Sequence, residues 1–168
     1  MNQYIKSLEE SDKINRVLNE RTWKPPKNPF IISGPCSVES EDMIVMWAKK
    51  MESIGIDALR GGAYKPCTYP ITKEVGNNGW KEGLREEGLK HLMTAKKETG
   101  LPIVSEIMDI RQINQLSMDT IDIIQVGTRN FQNYSLLDEF GKLDKPILLK
   151  RGTWATVDEI LGAVERVM

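Results

Sequence analysis

The feature that most constrains the fold is a repeat of short apolar runs, each followed by a helical pattern. The apolar runs are residues 30–33, 56–60, 101–107, 121–127 and 145–152. The helical patterns are residues 40–54, 81–99, 110–118, 133–143 and 156–168. Apolar strands that alternate with helices are typical of a parallel sheet covered by helices. The sequence therefore predicts an α/β fold built from five strand–helix units.

The residues before the first unit have a different character. Residues 4–18 show a loose helical spacing of apolar side chains, and the stretch WKPPKNP (23–29) breaks any helix because proline lacks the N–H group. We expect an N-terminal helical extension and a Pro-rich connector over residues 1–29, and a partial (β/α) barrel over residues 30–168. The barrel is favoured over a doubly wound fold because the chain has no clear dinucleotide-binding fingerprint.

Composition argues against several classes of function. The 168 residues include 23 Lys and Arg against 24 Asp and Glu, so the one-sided basic excess of a nucleic-acid-binding protein is missing. No apolar run approaches the ~20 residues of a membrane span, and the polar, acidic N-terminus is not a secretory signal. Cys36 and Cys67 lack CxxC spacing, which predicts reduced thiols and a cytoplasmic location. His91 is the single histidine, so a two-histidine metal site has no material.

Polar residues gather where the predicted strands end. These ends read GPCSVE (34–39), RGGAYKPCT (60–68), SEIMD (105–109), QVGTRN (125–130) and LLKRGT (148–153). In a (β/α) barrel the carboxyl ends of the strands meet at one rim, where ligands bind. We expect this rim to collect Glu106 and the cations Arg60, Lys65, Arg129, Lys150 and Arg151.

Such a rim suits a multiply charged anion, because arginine grips two oxygens at once and lysine acts as a point charge. The adjacent glycines Gly61 and Gly62 would let backbone come close to that anion. Taken singly, each motif is more often a solvated turn or a surface charge pair, and Cys36 is more often a small buried hydrophobe. The joint occurrence at five successive strand ends favours an anion site.

The same segments resemble a known family. GPCSVES, LRGGAYKP, GLREEGLKHL, ETGLPIVSEIMD, IIQVGTRNFQN and KPILLKRG are similar, in this order, to the 3-deoxy-D-arabino-heptulosonate 7-phosphate (DAHP) synthases of the short type I beta branch. The resemblance runs from about Phe30 to Met168. The sister 3-deoxy-manno-octulosonate 8-phosphate synthases have an Asn-Arg-Ser-type stretch after the second strand, where this chain has Lys65-Pro66-x-Thr68.

The resemblance implies a transferase that condenses phosphoenolpyruvate with the phosphosugar erythrose 4-phosphate, in an aldol-type reaction at a divalent metal of the Mn, Zn, Fe or Co type. This is the first step of the shikimate pathway of aromatic amino-acid biosynthesis. Lys65 and Glu106 would be catalytic, Glu106 by orienting water or a lysine. Thr68 would touch the phosphate of the sugar, and Cys36 would be one metal ligand. The residues implied to bind substrate also include Arg60, Lys65, Gly127, Thr128, Arg129, Lys150 and Arg151.

The chain departs from the family in two places. Cys67 stands where the family has an arginine that grips the sugar phosphate, which leaves the second substrate open. The family barrel has eight units and five are found here, so the isolated chain is expected to be inactive and to retain the metal poorly. Two alternatives remain, a non-catalytic partial barrel that binds anions or assembles with a partner, and a related synthase for a different phosphosugar.

The five predicted units also bear on assembly. The first and fifth strands would lie at open edges of the sheet, and open edges invite pairing with another chain. We therefore expect a homo-oligomer, or coverage of one edge by residues 1–22.

Overall fold

The computed structural model describes residues 29–66 and 83–168. These residues form a five-stranded sheet in which all neighbouring strands are parallel and follow chain order. The strands are β1 (Ile32–Ser33), β2 (Ala58–Arg60), β3 (Ile103–Glu106), β4 (Ile123–Val126) and β5 (Ile147–Leu149). The predicted fold class, a parallel α/β sheet of barrel lineage with five strand–helix units, is confirmed.

A helix follows each strand. The helices are α1 (Glu41–Ser53), α2 (Glu86–Thr99), α3 (Gln115–Thr120), α4 (Tyr134–Phe140) and α5 (Val157–Val167), with short 3-10 turns at Ile110–Gln112 and Thr128–Asn130. The predicted helix over 110–118 is divided, because the Asn114 side chain accepts from the backbone of Ser117 and starts α3 there. Similar caps start α1 at Ser40 and α5 at Thr156.

The two faces of the sheet have different partners. On the outer face Leu59, Ile103 and Ile124 are fully buried in a core that includes Leu92 of α2 and Phe140 of α4. On the inner face a second, smaller apolar cluster contains Ala58, Val104 and Ile123, with Phe30, Ile32 and Leu148 packed against it. Side chains alternate between faces along a strand, so a residue two positions after an inward apolar side chain also points inward.

That alternation places polar residues above the inner cluster. Arg60 lies two residues after Ala58 and Glu106 two residues after Val104. Glu106 and Gln125 are direct partners in the β3–β4 register. Because all five strands are parallel, these positions lie together at the carboxyl ends of the strands. The fold therefore builds a polar layer at the carboxyl ends of the strands, on top of an apolar layer.

The strands at the two ends of the sheet are β1 and β5, and each pairs on one side within the described residues. Homo-oligomerisation through these edges stays a prediction. The expected helical extension and nearly all of the connector lie outside the described residues, as do Cys67 and Thr68. Among the helices that are described, none has the length and apolar character needed to cross a membrane.

The outer core gives a stability prediction. Ile124 lies on β4, which pairs with a strand on each side, and is fully buried, so Ile124→Ala should lower the free energy of unfolding by about 2–5 kcal/mol. Urea denaturation measures this change. Met46→Ala is the control, because Met46 is 56% exposed and its truncation should cost less than about 0.5 kcal/mol. Equal losses in the two variants would contradict the assigned core.

Candidate anion site

An open cleft of about 380 Å³ lies at the carboxyl ends of the strands. It is formed by the ends of β2, β3 and β4 and by the segment after β5. Four of the cations that the sequence placed at the rim line this cleft together with Glu106. The full lining among the described residues is Arg60, Lys65, Pro66, Glu106, Gly127, Thr128, Arg129, Lys150 and Trp154.

Two of the arginines are tied to neighbouring loops through backbone carbonyls. Arg60 Nη1 donates to the Pro35 carbonyl at 3.4 Å, and Arg129 Nη1 donates to the Pro66 carbonyl at 3.2 Å. Each guanidinium has five N–H donors, and one carbonyl contact engages only one of them. These contacts hold the guanidinium groups at the cleft.

Glu106 is the buried acid of the cleft. The residue is 5% exposed, and its Oε2 accepts a hydrogen bond from Gln125 Nε2 at 3.0 Å. Its Oε1 is buried and has no hydrogen-bond partner among the described residues, which costs about 1–3 kcal/mol for an ordinary acceptor.

The pKa of Glu106 reflects opposing influences. Burial raises this pKa above the ordinary 4.5, while the Gln125 hydrogen bond and the charges of Arg60, Lys150 and Lys65 pull it down. Burial is the largest of these causes, so the carboxyl group holds its proton to a higher pH than an exposed glutamate does.

Gly127 is the position that makes room for this carboxyl group. A Cβ atom at Gly127 would lie 2.0 Å from Glu106 Oε1 and 2.7 Å from its Cδ. No side chain fits there without displacing Glu106. The requirement for glycine in the QVGTRN segment is therefore steric, and it fixes Oε1 against the cleft wall.

Cys36 and Lys65 form a pair beside the cleft. Lys65 Nζ donates a hydrogen bond to Cys36 Sγ at 2.5 Å. This hydrogen bond is the main reason that the pKa of the Cys36 thiol lies below its ordinary 9.0, since burial acts in the opposite direction and Arg60 adds a smaller lowering effect. Cys36 is exposed, so the pair places a thiol with a lowered pKa next to the Lys65 ammonium group.

The number of available ligands shows whether these residues could hold a divalent metal. A thiolate at Cys36 offers one ligand, and a catalytic site normally keeps about three protein ligands. Within residues 29–66 and 83–168 no group of three His, Cys, Asp or Glu side chains could hold a metal ion. The described residues therefore do not form a metal site by themselves.

The glycines of RGG have a packing role that the sequence did not predict. A Cβ at Gly61 would lie 2.9 Å from Leu92 Cδ2, and a Cβ at Gly62 would lie 2.7 Å from the Cys36 carbonyl oxygen. The space beside both glycines is thus filled by the protein itself. They allow the end of β2 to pack against α2 and against the segment after β1. The neighbouring cations Arg60 and Lys65 line the cleft.

Three predicted residues, Cys36, Thr68 and Arg151, are absent from the described lining, and two residues that line or shape the site were missed. Arg151 is exposed and is not among the residues that line the cleft, and Thr68 lies outside the described residues. The missed residues are Gln125, which bonds Glu106, and Trp154, which lines the cleft. A polar residue within the apolar run IDIIQVG was the available signal for Gln125.

A second cleft of about 520 Å³ adjoins the first and shares Lys65 and Pro66 with it. Its other described lining residues include Arg85 and the Asp109–Arg111 pair. Arg111 Nε and Nη2 donate to Asp109 at 2.8 and 2.9 Å, which lowers the pKa of Asp109 to about 2. The two clefts therefore meet at Lys65 and Pro66.

Comparison with known proteins agrees with this architecture. A profile of the DAHP synthetase I family matches residues 24–168. Phospho-2-dehydro-3-deoxyheptonate aldolase of Thermotoga maritima is 39% identical over 137 residues, which are 82% of this chain and 38% of that protein. A 2-dehydro-3-deoxyphosphooctonate aldolase of Campylobacter jejuni is 26% identical over 142 residues, 84% of this chain and 52% of that protein.

Solved structures give the same result. The crystal structure of the Thermotoga maritima DAHP synthase matches with a TM-score of 0.70 and 38% identity, over 82% of this chain and 37% of that one. A truncated form of the Thermotoga enzyme matches with a TM-score of 0.67 over 46% of its length. The chain thus spans about half or less of the relatives it matches, and it belongs to the DAHP synthetase I family.

The buried carboxyl group predicts a specific pH dependence of stability. Because the pKa of Glu106 is raised in the folded state, its contribution to stability is fully present below its unfolded pKa and is lost as the pH rises through the folded pKa. Glu106→Gln should remove this dependence, so the variant gains stability relative to the parent between pH 4.5 and neutrality. The gain approaches ~1.4 kcal/mol for each unit by which the pKa is raised.

Thermal unfolding of the parent and the variant at a series of pH values measures this difference. Glu52→Gln is the matched control, because Glu52 is exposed on α1 and its replacement should leave the pH dependence unchanged. If the stabilities of the parent and of Glu106→Gln change with pH in parallel, the pKa of the Glu106 carboxyl group is not raised in the folded state.

Proposed function

We propose that this chain carries the phosphoenolpyruvate-binding part of a synthase that joins phosphoenolpyruvate to erythrose 4-phosphate in an aldol-type condensation. The observation that carries the proposal is the convergence of Arg60, Lys65, Arg129 and Lys150 on one cleft. Phosphoenolpyruvate has a phosphate and a carboxylate close together, so it needs several cations within a small volume. Membership of the DAHP synthetase I family supports this choice of anion over other multiply charged ones.

The proposed binding mode assigns each residue a task. Arg60 and Arg129 each present N–H donors in a planar fork, which suits the oxygens of a carboxylate or phosphate. Lys150 adds a point charge from the segment after β5, and the neighbouring Gly127 and Thr128 line the same wall. Charges held in place before the ligand arrives need no reorganisation, which favours both binding and charge stabilisation during the reaction.

The groups proposed to act in the chemistry line the same cleft. Lys65 is an ammonium beside Glu106, a carboxyl group whose burial raises its pKa. A carboxyl group with a raised pKa beside a cation is suited to hold or move a proton, or to orient a water molecule. Cys36 would give one ligand to a divalent metal in the whole protein. The remaining ligands would have to come from outside the described residues, so the role proposed here is anion binding.

The second substrate stays open between erythrose 4-phosphate and another phosphosugar. The 2-dehydro-3-deoxyphosphooctonate aldolases are also similar to this chain, at 23–26% identity, and Cys67 replaces the arginine that the resemblance leads one to expect. The Lys65-Pro66-x-Thr68 stretch favours erythrose 4-phosphate. Analysis of the products formed from phosphoenolpyruvate and each aldose phosphate by the full protein would decide between them.

The neighbouring residues Lys150 and Arg151 provide a sharp test of the proposed site. Lys150 lines the cleft and Arg151 is not among its described lining residues, although both are exposed cations. Lys150→Gln should weaken phosphoenolpyruvate binding roughly 10- to 100-fold, since a hydrogen bond to a charged group contributes about 1.5–3 kcal/mol. Arg151→Gln should change it less than about twofold, as expected of a screened surface charge.

Isothermal titration calorimetry with phosphoenolpyruvate measures both variants at the same ionic strength. Each variant removes one positive charge, so general electrostatic attraction falls equally in the two proteins. An equal loss of affinity in both would mean that the ligand responds to net charge and not to this cleft, and the proposed site would be wrong.

A further inference from the structure

The unpartnered oxygen of Glu106 is unusual in a site for anions. Its Oε1 is buried without a hydrogen-bond partner among the described residues, while Oε2 is engaged by Gln125. Glu106 and Gly127 both line the cleft, and the Gly127 backbone lies directly against Oε1. Glu106 therefore brings a carboxyl oxygen without a partner among the described residues to the lining of the cleft in which the proposed ligand would bind.

An ionised Glu106 would oppose the binding of an anion. A carboxylate is a hydrogen-bond acceptor in both oxygens, and so are the oxygens of phosphate and carboxylate ligands. Two acceptors of like charge in a partly buried cleft repel each other. A protonated carboxyl group has no charge and gains one O–H donor, so the same atom would then attract the ligand.

We infer that Glu106 takes up a proton from solvent when an anion enters the cleft, and that its Oε1–H then donates a hydrogen bond to that anion, with Gln125 as the positioning residue. This inference deepens the proposed function, because it rests on the cleft being the anion site. It makes occupancy of the site depend on pH through one carboxyl group.

The charges around Glu106 also couple anion binding to proton uptake. Arg60 on β2, Lys65 after β2 and Lys150 after β5 each favour the ionised form, while burial favours the neutral form. Arg129 after β4 lines the same cleft, and Cys36 is bonded to Lys65. A bound anion neutralises these cations and displaces water, so both changes raise the pKa of Glu106 further. Anion binding and proton uptake must then favour each other.

Gln125 determines which oxygen is available. It is 4% exposed, and its backbone is the register partner of Glu106 in the parallel ladder. With its amide N–H on Oε2 at 3.0 Å, the proton on a neutral Glu106 is left to Oε1. Gln125 thus acts through Glu106 and needs no contact with the ligand.

Sulfate is the probe for this inference, because it stays a dianion over the pH range in which a glutamate with a raised pKa titrates. Calorimetry of sulfate binding to the full chain, repeated in buffers of different ionisation enthalpy, gives the number of protons taken up. We expect roughly 0.3–1 proton per sulfate bound near the pKa of Glu106, and an affinity that rises as the pH falls.

Glu106→Gln is the decisive variant, since it keeps the shape and a hydrogen-bond donor but cannot titrate. It should bind sulfate with no Glu106-dependent proton uptake and, at the high end of the pH range, about 10-fold more tightly than the parent. A purely structural role for Glu106 would instead weaken binding at every pH. Weaker binding by Glu106→Gln throughout, or proton uptake equal to that of the parent, overturns the inference.

Gln125→Leu tests the positioning role separately. It removes the hydrogen bond that favours the ionised form, so the pH at which proton uptake is greatest should move upward. An unchanged maximum overturns the role of Gln125, whatever the stability of this variant. Sulfate binding without proton uptake in the parent overturns the inference and leaves the proposed function standing, whereas absence of sulfate and phosphoenolpyruvate binding overturns both.

Discussion

The parallel register of the strands is the constraint on which the site depends. Because neighbouring strands run in the same direction, the residues at their carboxyl ends lie side by side. The pairing of Glu106 with Gln125 is the clearest case, since one ladder step sets both the backbone contact and the side-chain hydrogen bond. A shift of β4 by one residue would turn Gln125 toward the helices, where apolar packing leaves no place for it, and would break its hydrogen bond to Glu106.

The apolar layer beneath the cleft and the polar layer within it follow from the same alternation. Ala58, Val104 and Ile123 bury the inner face, and the next inward residues, Arg60, Glu106 and Gln125, carry the polar groups. Burial of a carboxyl group there costs free energy when the group is ionised, and this cost is the reason that the pKa of Glu106 is raised. Buried titratable groups of this kind are expected at functional sites, because a group with a shifted pKa can hold or release a proton there.

Much of this architecture could be predicted from the sequence, and the failures have physical reasons. The five apolar runs predicted the strands because burial on both faces keeps most of their positions apolar. Lys150 and Arg151 could not be separated, because β5 ends at Leu149 and which of two adjacent residues faces inward depends on the register. Trp154 lies in a turn after the strand, where no periodicity sets the direction of a side chain. The packing role of the RGG glycines was not predicted, because contact with Leu92 is not visible in the sequence.

The position of bound phosphoenolpyruvate tests the central claim most directly. Crystals of the full chain grown with phosphoenolpyruvate should show its phosphate and carboxylate between Arg60, Arg129 and Lys150, with one ligand oxygen about 2.5–3.2 Å from Glu106 Oε1. Density for the ligand in the adjoining cleft near Arg85 and Arg111, with the space between Arg60 and Lys150 unoccupied, would contradict the account.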